Sequence, residues 1–286
     1  MFFAPTSFII PAFLPRDKAS VVTVHDLVAF LHPHLHQAKA VILEHLFLKM
    51  ALKKTRLVLA PSKHTKNDLI KLFRFPAEKI AVTPLAAERD FFEQPSAAEI
   101  KAVKEKYSVP EDFILAVSGL EPRKNVKLLL DVFPKIIQKH PKTSLIIIGG
   151  TGWKSKKVRQ QIQTMRHAVK HIRQCDAREL RAFYRLARAF VYPSLYEGFG
   201  LPVLEAMAAG CPVLCSNASS LPEVAGQAAL FFHPEDGNAL EKALFRILED
   251  EPLRRHLIAA GRMQAAKFSW EKTAALTLKN MERCCE

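Results

Sequence analysis

The 286-residue sequence has only five cysteines, and no two of them stand at the C-x-x-C spacing of zinc and thiol-redox motifs. An odd number of cysteines in a chain of this length argues against a disulfide framework. We therefore expect reduced thiols and a cytoplasmic protein. Cys211 and Cys215 lie beside an apolar run, which predicts small core residues flanking a strand.

Long apolar runs are also missing. No uncharged stretch reaches the roughly 18 apolar residues that a membrane-spanning helix needs. Residues 1–15 are apolar, but they contain three prolines and no basic residue before the apolar run, so they make a poor signal peptide. The composition, 49% hydrophobic and 24% charged, is ordinary for a soluble globular protein and excludes general disorder. We expect a soluble or peripheral protein.

Acidic residues are scarce relative to basic ones, 28 against 42, and the formal net charge is +14. This excess predicts an acidic partner: a nucleotide, an anionic lipid surface, a phosphorylated acceptor or a nucleic acid. Nucleic acid is not expected, because no recognised binding module is present and aromatic residues do not interleave with the basic ones.

Much of the excess lies in residues 154–188, which hold 11 basic and 2 acidic residues. Val158, Ile162, Met165 and Val169 recur there at helical spacing, and basic residues surround them. The pattern predicts an amphipathic helix that lies on an anionic membrane surface. An ordinary crossover helix with a basic outer face fits it equally well.

Short apolar runs alternate with amphipathic stretches along the chain, and this alternation predicts a doubly wound α/β fold. The predicted strands are 21–24, 57–60, 80–83, 113–117, 145–148, 189–192, 213–215 and 229–232. The predicted helices are 38–54, 63–73, 126–139, 156–168, 178–187, 202–209, 237–249, 252–266 and 269–284. Prolines at 84, 95 and 110 place the domain break in that region. We expect a first domain over 1–95, a second over 96–268 and a C-terminal helix over 269–286 that packs back toward the first domain.

The most informative segment is YPSLYEGFGLPVLEAMAAG, residues 192–210. It starts at the end of a predicted strand, and Gly198 and Gly200 allow the backbone to approach a ligand closely. Pro202 then suits the first turn of a helix, whose free N–H groups favour phosphate. Glu197 in the turn and Glu205 in the helix are eight residues apart, so their carboxylates can reach two parts of one ligand.

Glu197-x7-Glu205 resembles the E-x7-E signature of family 4 retaining glycosyltransferases, also called group 1, which have the GT-B fold. The flanking segments ARAFVYPSLYE (187–197) and SNASSLPEVAGQAA (216–229) are also typical of the family, as is FSWE (268–271). The resemblance implies two Rossmann-like domains facing across a cleft, the second of which binds a nucleotide sugar. It also implies that no metal or other cofactor is used.

The resemblance also assigns site residues. Lys124, and with it Arg123, is expected to neutralise the leaving diphosphate, Glu205 to bind the ribose hydroxyls, and Glu197 to contact the transferred sugar. The backbone of residues 198–201 (Gly198, Phe199, Gly200 and Leu201) is expected to line the sugar and phosphate site. His25, in a His-Asp element at the end of a strand, is expected to face the transferred sugar; the histidines at 32, 34, 36 and 45 are read as solvated, with zinc binding as the alternative.

The sequence departs from the family in three ways, one of which is Arg173, where members often have glycine. Ser118-Gly119 stands where many members have Gly-Arg, whose arginine also contacts phosphate. In addition, about half of the usual N-terminal domain is expected to be absent, so the first domain is predicted to be incomplete and the strands at 21–24 and 57–60 to have exposed edges or faces.

The resulting functional prediction is an enzyme that moves a hexose, for which we expect mannose from GDP-mannose, to a lipid-linked or polysaccharide acceptor with retention of configuration. UDP- and ADP-sugars are the alternative donors. Basic segments would favour peripheral association with the inner face of an anionic membrane. The alternative is a truncated, non-catalytic nucleotide-sugar-binding protein, or one subunit of a split glycosyltransferase.

Overall fold

The computed structural model describes residues 1–15, 18 and 20–284. Its strands are β1 (Phe2–Ala4), β2 (Ser20–Thr23), β3 (Thr55–Ala60), β4 (Ile80–Val82), β5 (Phe113–Val117), β6 (Ser144–Ile148), β7 (Val169–Ile172), β8 (Ala189–Tyr192), β9 (Val213–Ser216) and β10 (Ala229–Phe232). Its α-helices are α1 (Ile9–Phe13), α2 (Val28–Leu31), α3 (Ala38–Leu52), α4 (Lys63–Phe73), α5 (Ala97–Tyr107), α6 (Val126–Lys139), α7 (Lys156–Thr164), α8 (Ala177–Leu186), α9 (Leu201–Ala208), α10 (Leu221–Ala225), α11 (Gly237–Glu249), α12 (Glu251–Ala265) and α13 (Trp270–Glu282).

The chain forms two compact units, and each contains one parallel sheet. Unit 1 consists of Met1–Ala86, Tyr196–Phe199 and the C-terminal residues from Phe268, and unit 2 consists of Ala87–Leu195 and Gly200–Lys267. The α/β architecture predicted from strand–helix alternation is confirmed. The predicted domains, 1–95, 96–268 and 269–286, stay predictions.

The sheet of unit 1 has the order β1-β2-β3-β4, with every neighbouring pair parallel. The prediction of exposed edges for β2 and β3 was wrong, because β1 pairs with β2 and β4 pairs with β3. Both faces are covered as well. Val22 and Val58 point into one apolar cluster, whereas Val21, Leu57 and Leu59 point to the opposite face.

The helix α13 lies on that opposite face. Met281 and Cys284, at and just beyond its end, pack against the cluster of Val21, Leu57 and Leu59. The hydroxyl of Thr273 donates a 2.5 Å hydrogen bond to the Pro84 carbonyl, which also fixes the helix to unit 1. Ser269 caps the helix through its side chain, which accepts from the backbone N–H of Lys272.

The sheet of unit 2 has the order β10-β9-β8-β5-β6-β7, also parallel throughout. The chain enters at β5 in the middle, adds β6 and β7 on one side, and returns to add β8, β9 and β10 on the other. This is the strand order of a Rossmann fold. The order in which strands are added reverses between β5 and β8, although all strands stay parallel. In β6, four consecutive residues, 145–148, are buried, as expected for a strand covered by helices on both faces.

Two features of unit 2 differ from the sequence-based expectation. Helix α7 ends at Thr164 and Val169 lies in β7, where it pairs with Leu145 of β6, so the helix predicted to continue to residue 168 was wrong at its end. In addition, α5 lies between two prolines that were read as a domain break. A capping box of Ser96 and Glu99 begins this helix.

Side-chain caps and buried thiols complete the local description. Ser62 and Asp236 cap α4 and α11 through side-chain hydrogen bonds. Cys211 and Cys215 are buried free thiols, and burial raises the pKa of both. Cys285 lies outside the described residues. No helix within the described ranges is long and apolar enough to cross a membrane.

Candidate functional site

The loop after β5 carries the two cations that the sequence singled out. It forms a short 3₁₀ helix over Pro122–Lys124. The ammonium group of Lys124 donates a 2.8 Å hydrogen bond to the hydroxyl of Tyr192, the last residue of β8. β5 and β8 are paired neighbours, and the order in which strands are added to the sheet reverses between them. Lys124 lies at the carboxyl ends of these two strands. Ligands of open α/β sheets bind at that position.

Asn125 holds this loop in place. Its backbone is left-handed, with φ of 54°, a conformation that asparagine tolerates better than most residues. The side-chain amide donates to the carbonyls of Pro193, at 3.1 Å, and Pro234, at 2.7 Å. The carbonyl of Arg123 in turn accepts from the backbone N–H of Leu195 at 2.9 Å. The cation-bearing loop is thus tied to the segments that follow β8 and β10.

An acidic side chain, that of Glu121, lies over Gly119. A Cβ built on Gly119 would lie 2.1 Å from Oε2 of Glu121, and one built on Gly152 would lie 2.6 Å from the same atom. The carboxyl group of Glu121 therefore fills the space above both glycines. In this loop, positive charge comes from Arg123 and Lys124, and Glu121 opposes it.

The helix α9 begins at the second glycine of the motif. Gly200 is its N-cap residue with φ of 115°, and a Cβ there would come within 2.6 Å of the Leu221 side chain. Leu201 and Pro202 form the first turn, one residue before the predicted start. The backbone N–H groups of this turn have no intrahelical partners and carry the positive end of the helix dipole.

Glu205 lies in the same helix, and its carboxylate accepts a 3.1 Å hydrogen bond from the hydroxyl of Tyr184 on α8. Burial raises the pKa of Glu205, the hydroxyl of Tyr184 lowers it, and the charge of Glu88 raises it further. The pKa of Tyr184 is also raised, first by burial and then by Glu205. The carboxylate of Glu205 is therefore a buried hydrogen-bond acceptor that the hydroxyl of Tyr184 holds in place.

Residues Tyr196–Phe199, which include Glu197, belong to unit 1. Glu197 is 8% exposed. The carbonyl of the next residue, Gly198, accepts hydrogen bonds from two hydroxyls at the start of α4: Ser62 at 2.7 Å and Thr65 at 3.2 Å. The phenyl ring of Phe199 packs edge-on against Phe268, with 5.9 Å between ring centroids.

Tyr196 is held by the same helix. Its hydroxyl donates a 2.7 Å hydrogen bond to Asp68, and Nε2 of His64 lies 3.3 Å from the same carboxylate. Burial and the neighbouring carboxylate of Asp68 raise the pKa of Tyr196. The ring of His32 packs on Tyr196, and burial lowers the pKa of that histidine, with a further contribution from His34.

His25 follows β2 and is exposed, and its Nε2 lies 2.8 Å from the carbonyl of Pro5. Asp26 accepts a 3.0 Å hydrogen bond from the backbone N–H of Val28, the first residue of α2. The backbone of Gly198 passes so close to this turn that a Cβ there would lie 1.8 Å from the His25 carbonyl. Unit 1 therefore brings together His25, Glu197, Gly198 and Phe199, and unit 2 contains Arg123, Lys124, Gly200, Leu201 and Glu205.

The sequence analysis missed the residues that hold these groups in place: Tyr184, Tyr192, Asn125, Thr65 and Asp68. The donation from Ser62 to the carbonyl of Gly198 was also not predicted. Asn125 had a detectable signal, since asparagine before a helix often adopts left-handed backbone. No three His, Cys, Asp or Glu side chains within the described residues are placed to hold a metal ion.

Comparison with known proteins agrees with this geometry. Residues 98–264 match the family described as glycosyl transferases group 1, and residues 2–90 match glycosyltransferase family 4. The chain belongs to the group 1 glycosyl transferase family. The membership inferred from the E-x7-E segment and its flanks is thereby confirmed.

Individual relatives support the same assignment. The chain is 35% identical to O-antigen chain mannosyltransferase B of Escherichia coli, over 93% of this chain and 71% of that protein. It is 30% identical to the serotype-specific mannosyltransferase WbdA of E. coli, over 94% of this chain but only 34% of WbdA. HepE from Anabaena, solved with UDP and glucose, has the same fold at 19% identity, with a TM-score of 0.78 over 94% of this chain and 72% of that one. The GT-B fold is thus confirmed.

Proposed function

We propose that this group 1 glycosyltransferase moves mannose from a nucleotide sugar to a lipid-linked or polysaccharide acceptor, with retention of configuration and without a metal ion. The observation that carries the proposal is the hydrogen bond from the ammonium group of Lys124 to the hydroxyl of Tyr192, at the carboxyl ends of β5 and β8. A fixed cation at that edge of a Rossmann sheet is suited to a diphosphate.

The donor site would be built mainly by unit 2. Arg123 and Lys124 would neutralise the diphosphate, and the N–H groups at the start of α9 would add hydrogen bonds beside Gly200 and Leu201. Glu205 would bind the ribose hydroxyls. The raised pKa of its carboxyl group supports this role, because a desolvated carboxylate gains strongly from two hydroxyl donors.

The sugar would be recognised from unit 1. Glu197 would contact hydroxyls of the transferred hexose, with the backbone of Gly198 and Phe199 beside it, and His25 would face the same sugar. Mannose is proposed because the relatives named above are described as mannosyltransferases. GDP is the nucleotide we expect.

In the proposed reaction the bond between the sugar C1 and the diphosphate oxygen breaks, and a bond from C1 to the acceptor oxygen forms on the same face. The nucleoside diphosphate leaves, and a leaving phosphate oxygen takes the acceptor proton. The residues described here would act by stabilising the negative charge that develops on the diphosphate, an effect typically worth several kcal/mol. No enzymic nucleophile is assigned.

Nucleotide-dependent thermal stabilisation tests the donor site first. GDP, UDP, ADP and their sugars would be screened with the wild type and Glu205→Ala. A ligand at about 100 times its Kd adds about 2.7 kcal/mol to the free energy of unfolding. We expect a shift with guanine nucleotides that is lost in Glu205→Ala; no shift with any nucleotide, from a cooperatively folded protein, would refute the proposal.

Transfer is tested next, with GDP-mannose labelled in the sugar and a lipid extract as acceptor. Lys124→Ala should lower kcat by about 100-fold to 1,000-fold. Lys127→Ala is the matched control, because Lys127 is exposed and pairs only with the nearby Asp131 in the described structure. Activity that persists in a chelator, with an α-linked product by NMR, would support metal independence and retention. Donor binding without turnover would instead favour a nucleotide-sugar-binding protein or one subunit of a split enzyme.

Peripheral association with an anionic membrane is part of the proposal, because the acceptor would be lipid-linked and the chain carries a net charge of +14.

A further inference from the structure

The outer faces of α1 and α3 expose large apolar side chains next to each other. On α1 these are Ile9, Ile10 and Phe13, which is 66% exposed; on α3 they include Ile42, at 59%, Leu46 and Met50. The two helices pack together, and the rings of Phe13 and Phe47 lie 5.7 Å apart. Together these six exposed residues form what we call the α1–α3 face.

The two helices are held as one platform. The ammonium group of Lys54, just beyond α3, donates 2.8 Å hydrogen bonds to the carbonyls of Ala12 and Leu14 at the end of α1. Pro11 and Ala12 are buried beneath. The exposed side chains of α1 are therefore presented by a fixed backbone.

Basic residues share the outer face of α3 with the apolar ones. Lys39, Lys49 and Lys53 are exposed, and their spacing relative to Ile42 and Leu46 places all five on one side of the helix. The single acidic residue of α3, Glu44, lies away from this side and accepts from His36 at 3.3 Å. Apolar and cationic groups thus point in the same direction.

Exposed apolar side chains and lysines on the same surface indicate which kind of partner binds there. The cores of protein interfaces are depleted of lysine, and a second copy of this face would oppose lysine with lysine. A lipid monolayer satisfies both kinds of residue at once, because apolar side chains enter the acyl region while lysines extend to phosphate headgroups. We propose that the α1–α3 face is the surface on which the protein docks to a bilayer containing anionic lipids.

The helix α7, in the basic segment 154–188, does not combine exposed apolar residues with basic ones. The apolar side chains of Ile162, in α7, and of Met165, the residue after that helix, are buried in the core of unit 2, and Val158 packs against that core. The outward residues Lys156, Lys157 and Arg159 are charged and exposed. This helix can attract anionic lipids from a distance, but it has no exposed apolar residues of this kind to insert.

The inference deepens the membrane association proposed above by naming its surface. It is tested by sedimentation with vesicles of phosphatidylcholine, with and without about one third phosphatidylglycerol. The triple variant Lys39→Gln/Lys49→Gln/Lys53→Gln should bind anionic vesicles about 100-fold more weakly, because each lysine near such a surface contributes about 1 kcal/mol. Ile42→Ser/Leu46→Ser/Met50→Ser should lose binding to the same vesicles. The matched control Lys156→Gln/Lys157→Gln/Arg159→Gln should lose less than tenfold.

Insertion is measured separately with tryptophan reporters. Leu46→Trp should shift to shorter emission wavelength on anionic vesicles and be quenched by lipids with brominated acyl chains, whereas Arg159→Trp should not. Equal losses in the two charge variants, no vesicle binding by the wild type, or concentration-dependent dimerisation that Ile42→Ser/Leu46→Ser/Met50→Ser abolishes would each overturn the inference. Nucleotide binding without vesicles reports on the donor site alone, so the failure of one proposal is distinguishable from the failure of the other.

Discussion

The hydroxyl of Tyr196 donates its hydrogen bond to Asp68, on the same helix whose first turn holds the carbonyl of Gly198. Glu197 lies between these two residues. Ser62, Thr65 and Asp68 are spaced three residues apart, so they lie along one side of α4 and its cap. Both chain neighbours of the glutamate are therefore fixed by one element of unit 1.

Tyr196→Phe should destabilise the protein and disturb sugar recognition. The carboxylate of Asp68 would keep only the imidazole of His64 as a described partner, and losing a hydrogen bond to a buried charged group costs about 1–3 kcal/mol. Because Glu197 would be less restrained, KM for the donor sugar should rise while the Kd for the free nucleoside diphosphate stays constant. Urea denaturation and donor kinetics measure the two effects.

Tyr107→Phe is the control for this experiment, since Tyr107 donates a hydrogen bond of the same 2.7 Å length to Glu179 in unit 2. It should reduce stability without changing KM. An unchanged KM in Tyr196→Phe would show that Glu197 does not depend on this contact.

Gly198→Ala should be poorly tolerated. The new Cβ would lie 1.8 Å from the carbonyl oxygen of His25 and 2.8 Å from the Asp26 side chain, so the backbone must move. We expect a loss of about 1–3 kcal/mol in the free energy of unfolding, as for other overpacked sites, and lower transfer activity. Gly150→Ala is matched to it, because a Cβ there has no neighbour within 4 Å and should change stability by less than about 0.5 kcal/mol. Similar thermal denaturation midpoints for the two variants would contradict the close approach.

Asn125 offers a way to separate backbone conformation from hydrogen bonding. Asn125→Gly keeps the left-handed backbone accessible but removes the bonds to Pro193 and Pro234, whereas Asn125→Ala loses both. The alanine variant should be less stable than the glycine variant by about 1–2 kcal/mol. Both should bind nucleoside diphosphate more weakly in calorimetric titrations, because Lys124 is the preceding residue. Wild-type affinity in both would show that the loop needs no such restraint.

Glu205→Gln should make the folded protein more stable but weaken nucleotide binding. Since burial raises the pKa of Glu205 in the folded protein, the folded state binds this proton more tightly than the unfolded state. The contribution of Glu205 to stability therefore falls as pH rises from below the unfolded value, about 4.3, through the higher folded value. The glutamine variant should gain stability relative to the wild type over that range, and nucleotide affinity should fall by about tenfold to 100-fold.

Glu251 is the control of opposite sign. Hydrogen bonds from Arg255 and Arg254 lower its pKa, so its contribution to stability is present above the unfolded pKa and is lost as pH falls through the folded one. Glu251→Gln should therefore lose stability at neutral pH and leave nucleotide binding unchanged. Denaturation curves at several pH values distinguish the two glutamates, and parallel curves would contradict the burial of Glu205.

Sequence patterns identified the helices and strands whose spacing of apolar residues matches the side chains that are buried in the structure. The apolar run at 145–148 and the strongly amphipathic α6 were predicted within a residue of their observed bounds. The strand β7 was missed because it lies at a sheet edge and contains Lys170 and His171. The short β1 was missed because its three residues precede a proline-rich segment, and only pairing with β2 identifies them as a strand.

The candidate site shows the same division. Its chemical groups could be named from local segments: Glu197 and Glu205 belong to the contiguous segment 192–210, and Lys124 belongs to the loop that follows β5. Their supports could not be, because Tyr192 is 68 residues from Lys124 and Asp68 is 128 residues from Tyr196. Contacts at such separations follow from strand order and helix placement, which local patterns do not encode.

The position of α13 in unit 1 has a consequence for how the protein is made. One face of the first sheet, at Val21, Leu57 and Leu59, is covered by residues near position 284. During synthesis this apolar surface stays uncovered until nearly the whole described chain has left the ribosome. At about 5–20 residues per second, the interval between residues 59 and 284 lasts roughly 10–45 seconds. The apolar face near the beginning of the chain is therefore exposed for the longest time. The second compact unit ends at Lys267, so it can fold before α13 covers that face.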